Sequence, residues 1–190
     1  NCLVGMNGEG KTNVLDAIHF LSLAKSATTS MDSQAIMHGQ DLMALEGNYE
    51  HEDGTPECIH CGLKRGQKKV LRRGKKAYRR LAEHIGLIPI VTVSPADQWL
   101  IAGGSEERRR FMDIIISQYN PVYLDALTRY NKALQQRNAL LKQEEEPDDD
   151  LLALLEEEMA RVGTYIYGER QKYVENFTPT FQSFYSLISQ

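Results

Sequence analysis

The stretch that decides the fold is Asn1-Cys-Leu-Val-Gly5-Met-Asn-Gly-Glu-Gly10-Lys-Thr12, at the start of the chain. Its glycines, lysine and threonine satisfy the pattern G-x-x-x-x-G-K-[ST], which is typical of a phosphate-binding loop. An apolar run at residues 2–4 precedes the loop, and apolar residues at helical spacing follow it. The sequence therefore predicts a strand, a phosphate-binding loop and a helix, in that order.

The residue types in this loop suit a triphosphate. Glycines allow turns that a Cβ would forbid, so successive N–H groups can face phosphate oxygens. The Lys11 ammonium would contact the β- and γ-phosphates, the Thr12 hydroxyl would hold Mg²⁺, and the helix dipole adds positive potential. A glycine-rich turn that binds nothing is the alternative. The predicted nucleotide-binding residues are Gly5, Met6, Asn7, Gly8, Glu9, Gly10, Lys11, Thr12 and Asn13, with Thr12 also reaching the metal through the nucleotide.

Composition narrows the protein class. The chain has 190 residues and a formal net charge of -4, and no apolar run approaches the roughly 18 residues of a membrane span. We therefore expect a cytoplasmic protein without a membrane partner. Because the chain begins with Asn1 and carries no signal-peptide pattern, we also expect it to be cut from a longer protein.

Three cysteines, Cys2, Cys58 and Cys61, make a poor disulfide framework because their number is odd. Cys58 and Cys61 with His60 between them resemble half of a zinc site, but no second pair follows at a suitable spacing. The alternative is that Cys61 lies on the buried face of a strand with Ile59 and Leu63, since these residues alternate along the chain.

The first half of the chain predicts mixed structure. Turn signals between residues 42 and 70 indicate two to four antiparallel strands. Residues 75–86 are expected to form a helix, and residues 88–93 a strand that Pro89 interrupts. The buried face of the helix after the loop is predicted to comprise Val14, Ala17, Ile18 and Leu21.

The second half predicts two long helices that pack in antiparallel fashion and are joined near Pro147. Asp148, Asp149 and Asp150 suit the start of the second helix, and Pro179 is expected to end it. The apolar stripes that define the pair are Tyr123, Leu127, Tyr130, Leu134 and Leu141 in one helix, and Leu152, Leu155, Met159, Val162, Ile166 and Tyr173 in the other.

Charge is distributed unevenly. Residues 64–80 contain ten Lys or Arg and no acid, whereas residues 144–158 contain nine acids and no base. The acidic run is expected to be a solvated connection between helices, whereas the basic run is either a nucleic-acid contact or a solvated hairpin. The candidate DNA-binding residues are Lys64, Arg65, Lys68, Lys69, Arg72, Arg73, Lys75 and Lys76.

Three further segments narrow the choice among P-loop proteins: Pro95-Ala-Asp-Gln-Trp-Leu-Ile-Ala-Gly-Gly104, Arg108-Arg-Arg-Phe-Met-Asp113 and Gln136-Arg-Asn-Ala-Leu-Leu-Lys142. Together with the loop and Lys25-Ser26, they resemble the RecF family of bacterial DNA replication and repair proteins. The resemblance implies an α/β P-loop NTPase lobe with antiparallel strands, similar to ABC-type and SMC-like heads, plus an inserted α-helical domain. It places part of lobe I at residues 1–94 and the helical lobe II at residues 95–190.

The resemblance also implies a function. RecF-like proteins bind ATP with Mg²⁺, form an ATP-dependent homodimer on single-stranded, duplex or gapped DNA, and help to load RecA with RecR and RecO. The full-length protein would be a weak DNA-dependent ATPase. Because the chain contains no Ser-x-Gly-Gln signature and no Walker B acids, we expect no ATP turnover by these residues alone. A metabolic P-loop kinase or transferase, and a structural module with a vestigial loop, are the alternatives.

Overall fold

The computed structural model describes residues 1–144 and 146–189. The chain divides into two compact units, unit 1 (Asn1–Val93) and unit 2 (Ser94–Gln190). The identity of these units as lobe I and lobe II stays a prediction.

Unit 1 combines one long helix with an antiparallel sheet. Helix α1 (Lys11–Leu23) is followed by a 3₁₀ helix (Asp32–Ala35), and a second 3₁₀ helix spans Leu81–Glu83. The sheet has the strand order β1-β2-β3-β4, and every neighbouring pair is antiparallel, which confirms the predicted antiparallel strands. The strands are β1 (Leu42–Glu50), β2 (Pro56–Lys64), β3 (Val70–Arg73) and β4 (Lys76–Ala77).

The core of unit 1 forms where α1 crosses one face of the sheet. Ile59, Cys61 and Leu63 are buried along β2, which confirms the predicted alternation. Ile59 and Cys61 pack with Phe20 and Leu21 from the second half of α1. Burial raises the pKa of the Cys61 thiol to about 11, so this cysteine is a neutral core residue. Among the described residues, no cluster of His, Cys, Asp or Glu forms a metal site.

The predicted buried face of α1 is only partly right. Leu21 is buried, but Val14 and Ile18 are 48% and 43% exposed, and Phe20 takes the central core position instead. The reason is that the sheet covers the second half of the helix only, whereas helical spacing treats both halves alike.

Three other predictions for unit 1 are wrong. Residues 75–86 are not a helix, because Gly74 turns the chain with a left-handed φ of 54° and β4 then pairs with β3. Residues 88–93 and residues 2–4 are not strands. Neither segment has a neighbouring strand among the described residues, and a strand needs such a partner for its backbone hydrogen bonds.

Unit 2 is helical. After a 3₁₀ helix (Pro95–Gln98), it contains α2 (Trp99–Ala102), α3 (Ser105–Tyr119), α4 (Pro121–Leu140) and α5 (Asp149–Ile188). The Asn120 side chain caps α4 by accepting from the Tyr123 amide, and Asp148 caps α5 by accepting from the Leu151 amide. The predicted helix start at the acidic run is therefore confirmed, while Glu145 of that run lies outside the described residues.

Helices α4 and α5 form the predicted antiparallel pair. Arg137 Nε donates to Glu156 over 2.8 Å, and Asn120 at the other end of α4 donates to Glu169 over 3.0 Å. Residue numbers thus fall along one helix as they rise along the other. Tyr123, Ala126, Val162 and Ile166 fill the buried seam, together with Ile116 of α3. Arg137 and Glu169 stand at helical spacing with the two apolar stripes, and they make these polar contacts.

The predicted end of the helix at Pro179 is wrong, because α5 is 40 residues long and contains this proline. A proline removes one backbone donor and costs helix stability, but it does not forbid continuation. A row of aromatic rings at a spacing of four residues runs across the proline, with centroid separations of 5.5–6.1 Å, and such pairs favour the helical conformation. The row consists of Tyr173, Phe177, Phe181 and Tyr185.

Within the described residues, no helix has the length and apolar content needed to cross a membrane.

Candidate functional site

The phosphate-binding loop has the backbone that its glycines predict. Gly8 and Gly10 have φ angles of 90° and 84°, in the left-handed region where a side chain is strained. Gly10 is also the residue that immediately precedes α1. The two turns therefore deliver the chain directly from the loop into the first turn of the helix.

The start of α1 presents unpaired amides. Among the described residues no side chain caps the helix, and the Val14 amide is the first to bond back, to the Gly10 carbonyl over 3.2 Å. The amides of Lys11, Thr12 and Asn13 thus have no partner within the helix. A free helix N-terminus with its positive dipole end favours an anion.

Lys11 folds over the loop. Its Nζ donates to the carbonyl oxygens of Gly5 and Met6 over 2.7 Å and 2.5 Å. An amide of the same loop bonds to an anionic oxygen, since the Met6 amide donates to the Glu9 carboxylate at Oε2 over 3.0 Å. A loop amide that donates to a carboxylate oxygen can donate to a phosphate oxygen in the same way, so the residues fit a phosphate group.

The structure brings all nine predicted nucleotide-binding residues into one continuous loop and first helical turn, spanning residues 5–13. Thr12 is exposed at the second position of α1, and Asn13 follows it in the same turn. Their predicted roles toward nucleotide and Mg²⁺ stay predictions.

The sequence did not predict a set of hydrogen bonds that joins α1 to the residues following it. Asp16 on α1 accepts hydrogen bonds from the Ser26 hydroxyl, over 2.8 and 3.0 Å, and from the Ala27 amide over 2.6 Å. The Ser26 oxygen in turn accepts from the amides of Thr28 and Thr29. The chain reverses for this contact at Ala24, which has a left-handed φ of 53°. Since an alanine gives no signal for that conformation, the pattern of residue types could not have revealed the contact.

The cations of the basic stretch, residues 64–80, fall into two groups, those paired with a carboxylate and those that are not. Lys69 is only 14% exposed and pairs with Asp32 over 2.7 Å, while its Nζ also donates to the Ala24 carbonyl and lies 5.2 Å from the centre of the Phe20 ring. Arg73 pairs with Glu57 through Nε over 2.7 Å, and this hydrogen bond lowers the pKa of the Glu57 carboxyl. These two cations serve the fold of unit 1.

Arg65 is held in place but keeps its charge. Its Nε donates to the Gln40 carbonyl over 3.0 Å and its Nη1 to the Ser33 carbonyl over 3.4 Å, and neither acceptor is charged. The other predicted DNA-binding residues are exposed and have no side-chain partner among the described residues: Lys64, Lys68, Arg72, Lys75 and Lys76.

Comparison with known proteins gives one consistent result. No protein-family model matches the chain. The chain is 57% identical to the DNA replication and repair protein RecF of Bacteroides thetaiotaomicron over all 190 residues, which is 52% of that protein. RecF of Bacteroides fragilis is 58% identical over 100% of the chain and 51% of the relative. RecF of Parabacteroides distasonis is 53% identical over 99% of the chain and 51% of the relative.

Solved structures agree with the sequence comparison. The structure of the recombination mediator protein RecF-ATP in the RecFOR pathway matches with a TM-score of 0.90 and 32% identity. It covers 97% of this chain, which corresponds to 50% of the solved chain. A second RecF structure, with ATPrS, matches with a TM-score of 0.89. The predicted fold class, a P-loop lobe with antiparallel strands plus a helical part, is thereby confirmed.

The chain spans about half the length of the curated relatives that it matches. Its identity to those relatives extends along essentially the whole of its own length, and the solved RecF structures share its fold. The chain therefore corresponds to about half of a RecF protein.

Proposed function

We propose that this chain supplies the nucleotide loop and a DNA-contacting surface of an ATP-controlled recombination-repair factor. The observation that carries the proposal is the loop itself, in which the Lys11 ammonium lies on the loop carbonyls next to uncapped helix amides. The relatives are DNA replication and repair proteins, and one solved relative is RecF-ATP. Both support this function.

In the proposed ATP complex, the loop amides and Lys11 hold the β- and γ-phosphates, and the Thr12 hydroxyl is a ligand of Mg²⁺. Lys11 exchanges its two carbonyl contacts for phosphate oxygens, which are charged and therefore stronger acceptors. Asp16 positions residues 26–29 against α1.

By the same proposal the partners are DNA, RecR, RecO and a second copy of the protein. ATP binding would favour the homodimer on single-stranded, duplex or gapped DNA, and the complex would help to load RecA at gaps. The exposed part of the basic stretch is the proposed DNA surface. That surface excludes Lys69 and Arg73, because both have internal carboxylate partners.

Nucleotide binding tests the first part of the proposal. Fluorescent ATP is titrated into the protein encoded by the full reading frame, with and without Lys11→Ala. We expect affinity to fall about tenfold to a hundredfold, because charge-assisted hydrogen bonds are lost. Lys75→Ala removes the same charge from the exposed turn before β4 and should leave affinity unchanged. Equal affinities for the parent protein and Lys11→Ala would refute the nucleotide site.

DNA binding tests the second part. Affinity for gapped DNA is measured at about 50 mM and about 200 mM salt, since each phosphate contact contributes to the salt dependence. A protein that contacts several phosphates loses orders of magnitude in affinity over this range. A metabolic kinase or transferase would show no binding at either salt concentration, and that outcome would refute the DNA function.

A further inference from the structure

A cleft of about 380 Å³ opens beside the turn between β2 and β3. Its walls are the 3₁₀ helix Asp32–Ala35, the turn at residues 64–69 and residues 78–81 after β4. We call this feature the basic cleft. It lies entirely within unit 1.

The fold brings these three segments together by backbone contacts. The Arg65 amide donates to the Asp41 carbonyl over 2.9 Å, which fixes the turn against the chain before β1. Gly66 supplies the left-handed φ of 72° that the turn needs. The Tyr78 amide donates to the Leu71 carbonyl over 3.0 Å, so the chain after β4 returns along β3 and places Arg79 at the cleft.

The walls carry more positive than negative charge. Asp32 is the one carboxylate in the lining, and Lys69 neutralises it at 2.7 Å. Arg65 retains its charge because it bonds only to neutral carbonyls. Lys64, Lys68 and Arg79 are exposed in the lining and have no side-chain partner among the described residues. Within the part of the chain that the structure describes, four cations are therefore unneutralised around this opening.

The floor of the basic cleft is apolar. Leu63 and Leu71 are buried there, at 6% and 1% exposure, and Ile36 is 3% exposed. Charges that stand at the edge of a low-dielectric surface are screened less than charges in open water. The arrangement favours an anion that remains partly solvated at the rim.

We propose that the basic cleft binds the phosphodiester backbone of DNA, an inference that rests on the proposed DNA function. The lining offers no ring on which a base could stack freely, because Tyr78 packs edge-on against His84 with centroids 5.2 Å apart. Cations at the rim of an open cleft meet the phosphates first, because these are the outermost anionic groups of DNA, and phosphate contacts carry no sequence information. Binding at the cleft is therefore independent of DNA sequence.

A matched control lies outside the basic stretch. Lys132 and Lys142 are exposed in unit 2 and do not line the cleft. Lys68→Gln with Arg79→Gln removes two charges from the cleft. Lys132→Gln with Lys142→Gln removes two charges from unit 2, so both double variants have the same net charge.

The test uses the protein encoded by the full reading frame and fluorescent DNA of about 20 nucleotides, single-stranded and duplex. Affinity is measured by anisotropy at about 50 mM and about 200 mM salt. We expect the cleft variant to bind about tenfold more weakly at the lower salt and its salt slope to decrease by about one to two. The control variant should stay within about twofold of the parent, and two unrelated DNA sequences should give the same result.

Other outcomes overturn the inference. Equal losses in the two double variants would mean that only net charge matters, and no loss in the cleft variant would mean that DNA binds elsewhere. ATP titration of the same variants separates a second phosphate source, because a loss of ATP affinity on changing the cleft would make it a nucleotide site. If the parent binds ATP but no DNA, the inference and the DNA function fail together, whereas the nucleotide site stands on the Lys11→Ala result.

Discussion

Unit 1 and unit 2 each bury a titratable side chain in the core, but the two side chains are stabilised in different ways. Unit 1 buries His84, whose ring is fully covered and bonded only to neutral groups. Unit 2 buries Tyr123, whose hydroxyl donates to Asp113 and accepts from Arg170. The buried group of unit 1 therefore has neutral partners, whereas that of unit 2 belongs to an ion pair.

In unit 1, hydrogen bonds between neutral groups attach the irregular segment at residues 78–88 to α1. His84 Nε2 donates to the Leu21 carbonyl over 2.6 Å, and Nδ1 accepts from the Tyr78 hydroxyl over 3.3 Å. The Ser22 hydroxyl donates to the Ile88 carbonyl a few residues further on. Residues 78–88, which form no regular sheet or long helix, are thereby fixed on the C-terminal half of α1.

The ion pair of unit 2 joins three helices. Arg170 of α5 donates through Nε and Nη2 to both oxygens of Asp113 on α3, over 2.9 and 2.8 Å. Tyr123 of α4 completes the cluster. Removing either charge of this pair would leave the other buried without a partner. We therefore expect the free energy of unfolding to fall most on truncation of a core side chain in unit 1, and on removal of one member of the ion pair in unit 2.

The largest effect is expected from Phe20→Ala in unit 1. This ring is 1% exposed at the junction of α1 and the sheet, so its removal leaves a cavity and should cost about 3–5 kcal/mol of unfolding free energy. Val14→Ala, in the exposed half of the same helix, should cost less than about 0.5 kcal/mol. Urea unfolding measures both. Similar losses for the two variants would show that the first half of α1 is also packed.

A slightly smaller effect is expected from Arg170→Met in unit 2. The change leaves Asp113 without its partner, and removing one member of a largely buried pair costs about 3 kcal/mol, which we reduce to about 2–3 because the two side chains are 23% and 18% exposed. Arg161→Met breaks the exposed pair with Glu158 on the same helix and should cost less than about 1 kcal/mol. A variant with Arg170→Met and Asp113→Leu should recover stability. If it did not, the cost would come from lost packing and not from an unpaired charge.

These contrasts also show which features the sequence could predict. The loop was predictable because G-x-x-x-x-G-K-[ST] fixes residue types at each position, and β2 was predictable because Ile59, Cys61 and Leu63 alternate. The helical pair followed from its apolar stripes. In each case the structure depends on neighbours along the chain.

The remaining features depend on contacts between distant residues. In the sequence Lys69 is one of a run of cations, whereas in the structure it pairs with Asp32, which is distant along the chain. Residues 75–86 have a helical composition, but the bond from Tyr78 to Leu71 holds them against β3. Asp16 and Ser26 meet only because Ala24 turns the chain back. No local pattern of residue types reports such contacts.

A pH titration separates the two units. Burial lowers the pKa of His84 below its ordinary value of 6.5, so the unfolded chain takes up a proton more readily than unit 1 does as the pH falls. Unit 1 should therefore lose stability from about pH 7.5 to about pH 5.5. His84→Gln keeps a donor for the Leu21 carbonyl but does not titrate, so its smaller pH dependence over this range would confirm the source. Hydrogen exchange should show the loss in unit 1 and not in unit 2, and an equal loss in both units would contradict the prediction.

The smallest effect is expected at the nucleotide loop. Glu9 Oε2 accepts from the Met6 amide, one of the amides proposed to meet phosphate, so the carboxylate competes with the nucleotide and repels it. Glu9→Gln keeps an acceptor but removes the charge, and should raise ATP affinity by about twofold to fivefold, since an exposed charge contributes less than about 1 kcal/mol. Glu52→Gln, at an exposed position in the turn between β1 and β2, should leave affinity unchanged. Weaker ATP binding by Glu9→Gln would instead mean that the carboxylate holds the loop in its binding conformation, which would place Glu9 with Lys11 among the residues that favour the complex.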